Sequence, residues 1–579
     1  MKKNNLLMIF LIIISIVLIL ARINLILELP IFAYIDYISD DELMVHQAFD
    51  IKEGRWLGPY GYNTLLKSPV FPMFLALICV LKLPYIFSIT MCYIVSSCLF
   101  VYSMKDVIKN KIVLFLVFVF MIFNPIMYSA DFQRVYRNSL VPSLALLIIS
   151  FLNMVLINRN NEKISFKYII GIVGASIIFP FFYYIREDSI WLMPFMCFFG
   201  LIIFSSVIIG IIKRKKGKFI DLFKILSLFL PLVCFLIFNS VIGNINYKYY
   251  GEKIINMNDF TNLQEVISAI NIVKNESNTE ATNPREKMRR LYAISPTLNS
   301  MSETCERLQD NIAGKDKDVK DGMFGWVILE TISQSGYGTL EEQNKVLKDI
   351  ANEINTAIEN GKLETQKLTP FLNDAAYYKF DIGKIGSKTI KAFKVINNYN
   401  MFGVMDTYGS LYESDQFETR IRYFLEVTND KLLLNNEEKS WNKYGALIKD
   451  NQKEYLDRMQ PKIDTLRNIR TIYNNVSDII NPIGYISYVI FSGFIVLKLV
   501  KKKLDTTFDK WIITSGILGS VITLCLGIGY TTALKADVAI PFYLMSGYVL
   551  NTIFCLISII FTVEVIVNFI KERKNKASE

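Results

Sequence analysis

The chain has 579 residues, 52% hydrophobic and 20% charged, with 41 Phe, 31 Tyr and a single His. So much apolar and aromatic surface must be buried somewhere, which excludes a disordered chain, and the low charge leans away from a soluble enzyme. One histidine excludes multi-His metal sites, while the net charge of +10 fits either a nucleic-acid partner or the basic inner rims of membrane spans.

Residues 6 to 27, LLMIFLIIISIVLILARINLIL, supply the roughly 20 apolar residues that cross a hydrocarbon core. No small-residue cleavage site follows, so the stretch reads as a retained first span and not a signal peptide. Further stretches of spanning length lie at 85–104, 112–127, 139–157, 168–185, 190–212 and 219–243, then at 483–500, 511–534 and 541–569. The stretch 69–83, PVFPMFLALICVLKL, is short for a span, carries prolines near its start and reads as a helix that does not cross. Counting it would take the total from ten to eleven and would invert every basic loop after it.

Lys2 and Lys3 place the N-terminus inside by the positive-inside rule. Successive crossings then bring Lys105, Lys109 and Lys111, Arg159 with Lys163, Lys213-Arg214-Lys215-Lys216, Lys501-Lys502-Lys503 and the tail Lys571 to Lys576 to that same side. Much of the basic excess is thereby assigned to the inner rims of the spans and needs no nucleic acid. The pattern predicts an all-α, multi-pass protein of the plasma membrane, with the lipid bilayer as its surroundings and both termini cytoplasmic. It divides into a membrane region over 1–243 with a first outer loop at 28–84, an extracytoplasmic domain over 244–481, and C-terminal spans with a short basic tail over 482–579.

The outer domain is expected to be mainly helical. In EEQNKVLKDIANEINTAIENGKLE (341–364) apolar residues recur at three and four with charges on the other face, and NDKLLLNNEEKSWNKYGALIKDNQKEYLDRM (429–459) reads the same way. Of the eight cysteines only Cys305 lies outside the apolar stretches, so no disulfide framework supports this domain.

Chemistry is concentrated in three outer loops. The first, YIDYISDDELMVHQAFDIKEGRWLGPYGYNTLLKSPVFP, gathers Asp36, Asp40, Asp41 and Glu42 just after the first span. Carboxylates beside a low-dielectric boundary have raised pKa values and serve as general bases; an ordinary solvated interfacial loop is the plain alternative. SADFQRVYRNS (129–139) brings Arg134 and Arg137, and YYIREDSIW (183–191) brings Arg186, Glu187, Asp188 and Trp191. Arginine suits planar recognition of phosphate, and it also snorkels to lipid headgroups. His46 reads as a hydrogen-bonding residue over one facing the same cavity, Trp326 (in DGMFGW) and the YAISP string (292–296) as packing and a turn over acceptor contacts, and Glu564 as a snorkelling residue at an inner end.

The string SDDELMVHQAFDIKEGRWLGPYGYNTLLKSPVFPMFLAL resembles the first outer loop of GT-C type membrane glycosyltransferases, the group that includes protein mannosyltransferases and the aminoarabinose transferase of lipid A. The matching features are Asp40-Asp41-Glu42, Ala48, the turn Gly54-Arg55-Trp56 with Gly58, and Lys67-Ser68-Pro69. The likeness continues through FNP (123–125), Arg134 and Arg137 to REDSIW (186–191), which is similar to a string of a bacterial branch, and it covers about residues 1 to 245.

The resemblance implies many membrane helices around an outward cavity, a polyprenyl-phosphate sugar donor, and inverting transfer to a glycan, lipid or protein acceptor of the cell envelope. It implies Asp41 as the base, with Asp40 as second choice. Arg134, Arg137, Arg186 and Lys67 then hold the donor phosphate, with Glu42, Glu187, Asp188, Trp191, Trp56, Arg55 and His46 in support. No cofactor or metal is expected, with a divalent ion such as Mg or Mn as the alternative. A lipid-linked sugar flippase or transporter, and a polysaccharide polymerase or ligase, are the rival functions. A coupled transporter is disfavoured because Asp221, Lys224, Lys498 and Glu564 all fall near inner span ends.

Overall fold

The structure, a computed structural model, describes residues 2–35, 39–214, 217–276, 283–319, 323–366, 381–405, 411–412, 417–430, 452–501, 506–534 and 537–578. Asp36, Lys215, Lys216, Lys502, Lys503 and most of the helix expected over 429–459 lie outside the described residues. The described chain is helical apart from isolated bridges and a two-residue parallel pairing of Tyr34–Ile35 with Leu411–Tyr412.

Among the described residues nine helices are long and apolar enough to cross a membrane: Leu6–Ile26, Tyr85–Met104, Arg137–Asn158, Phe166–Ile185, Ser189–Arg214, Leu230–Tyr250, Asp457–Val500, Thr506–Ala533 and Pro541–Asn575. The protein is thus an all-α, multi-pass membrane protein in character. Only 6% of the first helix's apolar window is buried against 78% for Arg137–Asn158, so the former stands at the periphery and the latter at the centre of the bundle.

Two expected spans differ. The stretch 112–127 is helical only over the twelve residues Lys111–Ile122, shorter than the helices of spanning length. Pro125 disfavours helical backbone at Asn124, and the chain continues as the 3-10 turn Pro125–Tyr128 and the one-turn helix Ala130–Gln133. The break leaves carbonyls short of intrahelical donors inside an apolar bundle. Side chains supply them: Tyr473 OH to Phe120 O at 3.0 Å, Tyr93 OH to Met121 O at 2.8 Å, Arg22 Nε to Ile122 O at 3.1 Å and Tyr128 OH to Phe123 O at 3.1 Å.

The stretch 219–243 is likewise divided, into Phe219–Ser227 and Leu230–Tyr250, with Pro231 in the first turn of the second helix. On Phe219–Ser227 the residues Phe219, Leu222 and Leu226 are exposed while Asp221 and Lys224 are buried. Lys224 Nζ donates to the carbonyls of Arg159 and Asn161 at 2.7 and 2.8 Å, placing a cation at the C-terminal end of Val141–Asn158. The stretch 69–83 forms the short helix Val70–Val80, and 483–500 is the end of a 49-residue helix, Gln452–Val500.

Within 244–481 the side chains divide between two cores. Thr261–Ile272, Arg285–Ile294, Ser302–Ala313, Phe324–Gln334 and Leu340–Glu359 enclose one core, joined by Leu57, Leu65 and Leu66 of the first outer loop. Helix Leu340–Glu359 matches the pattern read at 341–364; a Thr339–Glu342 capping box opens it and Gly361, at φ 69°, follows its end. From Ala392 onward the buried residues, including Ile396, Tyr399, Phe402 and Phe424, pack instead with the membrane helices. All eight cysteines are unpaired.

Candidate functional site

The helix Asp40–Lys52 starts at Ser39, whose hydroxyl accepts from the Glu42 N–H at 3.2 Å. Its first turn carries Asp40, Asp41 and Glu42, where the helix dipole favours carboxylates. Asp41, Met44, Val45 and Ala48 are buried on one face, which fixes the helix against the membrane core. The second outer loop is brought alongside by backbone: Phe32 N–H donates to Gln133 O at 3.2 Å and Val135 N–H to Phe32 O at 2.9 Å. The Gln133 side chain donates to Pro30 O.

Adjacent helical residues point in different directions, so Asp40 and Asp41 have different partners. Asp41 is fully buried and takes the Arg134 fork, Nη2 at 2.7 Å and Nε at 2.9 Å. Arg134 also lies over the rings of Tyr136 and Phe542, at 4.6 and 5.1 Å.

Asp40 belongs to a closed ring of five side chains. Its Oδ2 accepts from Tyr136 OH at 2.7 Å and lies 3.4 Å from Lys67 Nζ. Arg137 Nη2 donates to the same hydroxyl at 3.4 Å, and Arg137 Nη1 donates to Glu187 Oε1 at 2.7 Å. Lys67 Nζ, 4.0 Å from Glu187, closes the circle. Burial alone would raise the Glu187 pKa, but Arg137 and then Lys67 outweigh it and hold the carboxyl down at about 2. Arg137 is buried, and its Nε, itself buried, has no hydrogen-bond partner among the described residues.

Arg186 stands apart from this ring. Its fork takes Asp188 at 2.8 and 2.6 Å, its Nη1 donates to Asn138, and it lies 5.0 Å over the Tyr543 ring. Arg186, Asp188, Asn138 and Trp191 line a narrow cleft with Phe542 and Tyr543. The indole of Trp191 is buried edge-on against Phe182, 5.6 Å between centroids.

The structure does not bring the remaining support residues into the ring. Glu42 lies 3.8 Å from Arg420. His46 sits on the helix Asp40–Lys52, and Arg55 and Trp56 belong to the turn that leads from it toward Lys67. Arg55 grips Asp50 at 2.8 and 2.6 Å, and His46 Nδ1 stands 3.5 Å from Asp50, which by hydrogen bonding and then by charge pushes the imidazole pKa up against burial. Trp56, at φ 57°, donates its indole N–H to Asn246 at 2.7 Å. Gly58 has φ 87°, and a Cβ there would stand 2.2 Å from Asp50 Oδ2.

Two residues escaped the sequence reading. Tyr136, between the two arginines, bridges Asp40 to Arg137. Asp131 is half-buried without a hydrogen-bond or ion-pair partner among the described residues, and burial lifts its pKa to about 6 against the opposing pull of Arg134. Among the described residues no group of three His, Cys, Asp or Glu is placed to hold a metal ion.

The chain matches no family model, no curated protein and no solved structure.

Proposed function

We propose that the protein is a membrane glycosyltransferase that moves a sugar from a polyprenyl-phosphate donor to an acceptor outside the plasma membrane, the acceptor being a glycan, lipid or protein of the cell envelope. The carrying observation is the closed ring of Lys67, Asp40, Tyr136, Arg137 and Glu187, assembled from three loops that the basic-residue pattern assigns to the outer face. Both termini lie on the cytoplasmic side in this reading, which counts ten crossings, the broken stretch 112–127 being one of them.

Asp40 is the preferred base over Asp41. A base needs a free lone pair and access to the acceptor, and both Asp41 oxygens are taken by Arg134 with no exposure. Asp40 is 23% exposed, and its Oδ1 has no partner among the described residues. In the transfer step Asp40 takes the acceptor hydroxyl proton as that oxygen bonds to the anomeric carbon. The bond from that carbon to the phosphate oxygen breaks, and its electron pair leaves with the lipid phosphate. Lys67, Arg137 and Arg186 stabilise that charge. Arg134 acts through Asp41, orienting the first turn of the helix.

The test compares cell-surface glycans and glycolipids of a deletion strain and its parent by mass spectrometry. The expected result is a sugar missing from one acceptor class, restored by the wild-type gene and not by Asp40→Asn. An unchanged profile with lipid-linked sugar accumulating on the inner leaflet would replace the transferase by a flippase.

A further inference from the structure

Among the described residues Lys67 has an aromatic neighbour outside the membrane region. Trp326, on the helix Phe324–Gln334 of the second core, presents its ring to the ammonium, with Nζ 6.0 Å from a ring centre. Its helix neighbours Phe324, Val327, Ile328 and Ile332 are buried in that core, whereas Trp326 is only partly covered. Trp56 and Trp511 donate their indole N–H groups to Asn246 and Ser492, and Trp326 donates to none of the described residues. A separation of 6.0 Å is the outer limit of a cation–π contact, so ring and ammonium are neighbours without closing on one another.

We propose that Trp326 stacks on the sugar ring of a glycosyl phosphate whose phosphate is held by Lys67; the assignment rests on the donor chemistry proposed above. A pyranose offers C–H groups on one face, which pack on an aromatic ring, and rim hydroxyls that accept from an indole N–H. A phosphate next to the anomeric carbon takes the ammonium. The helical unit outside the membrane region thus reads the sugar while the membrane region reads the phosphate, and Trp326 determines specificity without taking part in proton transfer.

The test is calorimetric titration of the full-length protein in detergent micelles with glucose 1-phosphate and, separately, inorganic phosphate. Wild type is expected to bind glucose 1-phosphate about fivefold more tightly. Trp326→Leu should bring the two ligands within roughly twofold without weakening phosphate, and Trp326→Phe should keep most of the preference. Lys67→Gln should weaken both by about tenfold. An unchanged preference in a folded Trp326→Leu protein overturns the role of Trp326 and leaves the phosphate site standing. Unchanged binding of both ligands in Lys67→Gln, or no binding by wild type, removes the phosphate site and this proposal with it. Should Trp326→Leu fail to fold, wild-type tryptophan emission decides: glucose 1-phosphate must shift it where inorganic phosphate does not, and equal spectra overturn the proposal.

Discussion

Asp41 holds Arg134 by two arms, 2.7 and 2.9 Å long, in a pair where the carboxylate is wholly buried and the guanidinium 20% exposed. Its neighbour Asp40 is 3.4 Å from Lys67 and keeps one oxygen without a partner among the described residues. The pairing separates two roles that adjacency in sequence had merged: one carboxylate positions the helix and the other is available to react.

Asp41→Ala should therefore act on stability. Removing one partner of a buried pair leaves the other uncompensated and costs about 3–5 kcal/mol. Asp40→Asn, at a partly exposed position, should change the thermal midpoint little and abolish sugar transfer. Thermal unfolding in detergent, with transfer assayed on the same preparations, checks both. A stable Asp41→Ala protein, or full transfer by Asp40→Asn, would contradict this division.

Arg22 offers a second test. It is fully buried in the first helix and donates to Ile122 O at 3.1 Å and Met127 O at 2.6 Å, around the break at Asn124-Pro125. Arg22→Met keeps the apolar stem and removes both donors, leaving buried carbonyls short of partners at about 1–3 kcal/mol each. The expected outcome is a lower unfolding midpoint with faster amide exchange over 120–128. Arg22→Lys should recover only part of the loss, because an ammonium lacks the fork that spans two carbonyls.

Asp131 predicts a pH effect. Its folded pKa of about 6 lies above the ordinary carboxylate value, so the folded state binds the proton more tightly and loses stability as pH rises through the window from about 4 to 6. Asp131→Asn removes that penalty. The variant should be more stable than its parent at pH 7–8, on the order of 1–2 kcal/mol, with the gap closing below about pH 4. Unfolding midpoints of the two proteins across pH 4–8 measure it, and a gap that is constant with pH would assign the effect to packing.

These positions show what the sequence carries. The membrane helices are legible because hydrocarbon demands long apolar runs, and the three charged loops because charge stands out between such runs. The Asn124-Pro125 break was also open to reading, since a proline inside an apolar run ends helical hydrogen bonding, but hydropathy alone passes over it. Which of Asp40 and Asp41 is locked was not legible: neighbours on a helix diverge, and the partner Arg134 is 93 residues away. Asp131 was invisible for a related reason, because its pKa depends on burial, which one sequence does not display. Trp326 reads as a packing residue in its own segment, and only the fold of the first outer loop onto its core brings it to Lys67.

Lys287 yields a prediction confined to the second core. Its side chain is fully buried on the helix Arg285–Ile294, and Nζ donates to Ile270 O and Asn283 Oδ1, both at 3.2 Å. Burial lowers its pKa to about 7, with Arg290 adding to the effect and Glu286 opposing it. The unfolded chain, near the ordinary lysine value, therefore binds more protons between about pH 7 and 10, and stability rises with pH across that window by up to about 1.4 kcal/mol per unit. Lys287→Met keeps the apolar stem and removes the titration. In the wild-type protein, amide exchange over helix Thr261–Ile272, which carries the Ile270 carbonyl, should slow between pH 7.5 and 9.5 once corrected for intrinsic base catalysis. In Lys287→Met the corrected rates should be flat. Equal slopes in the two proteins would mean that another group carries the linkage and that Lys287 remains charged inside the fold.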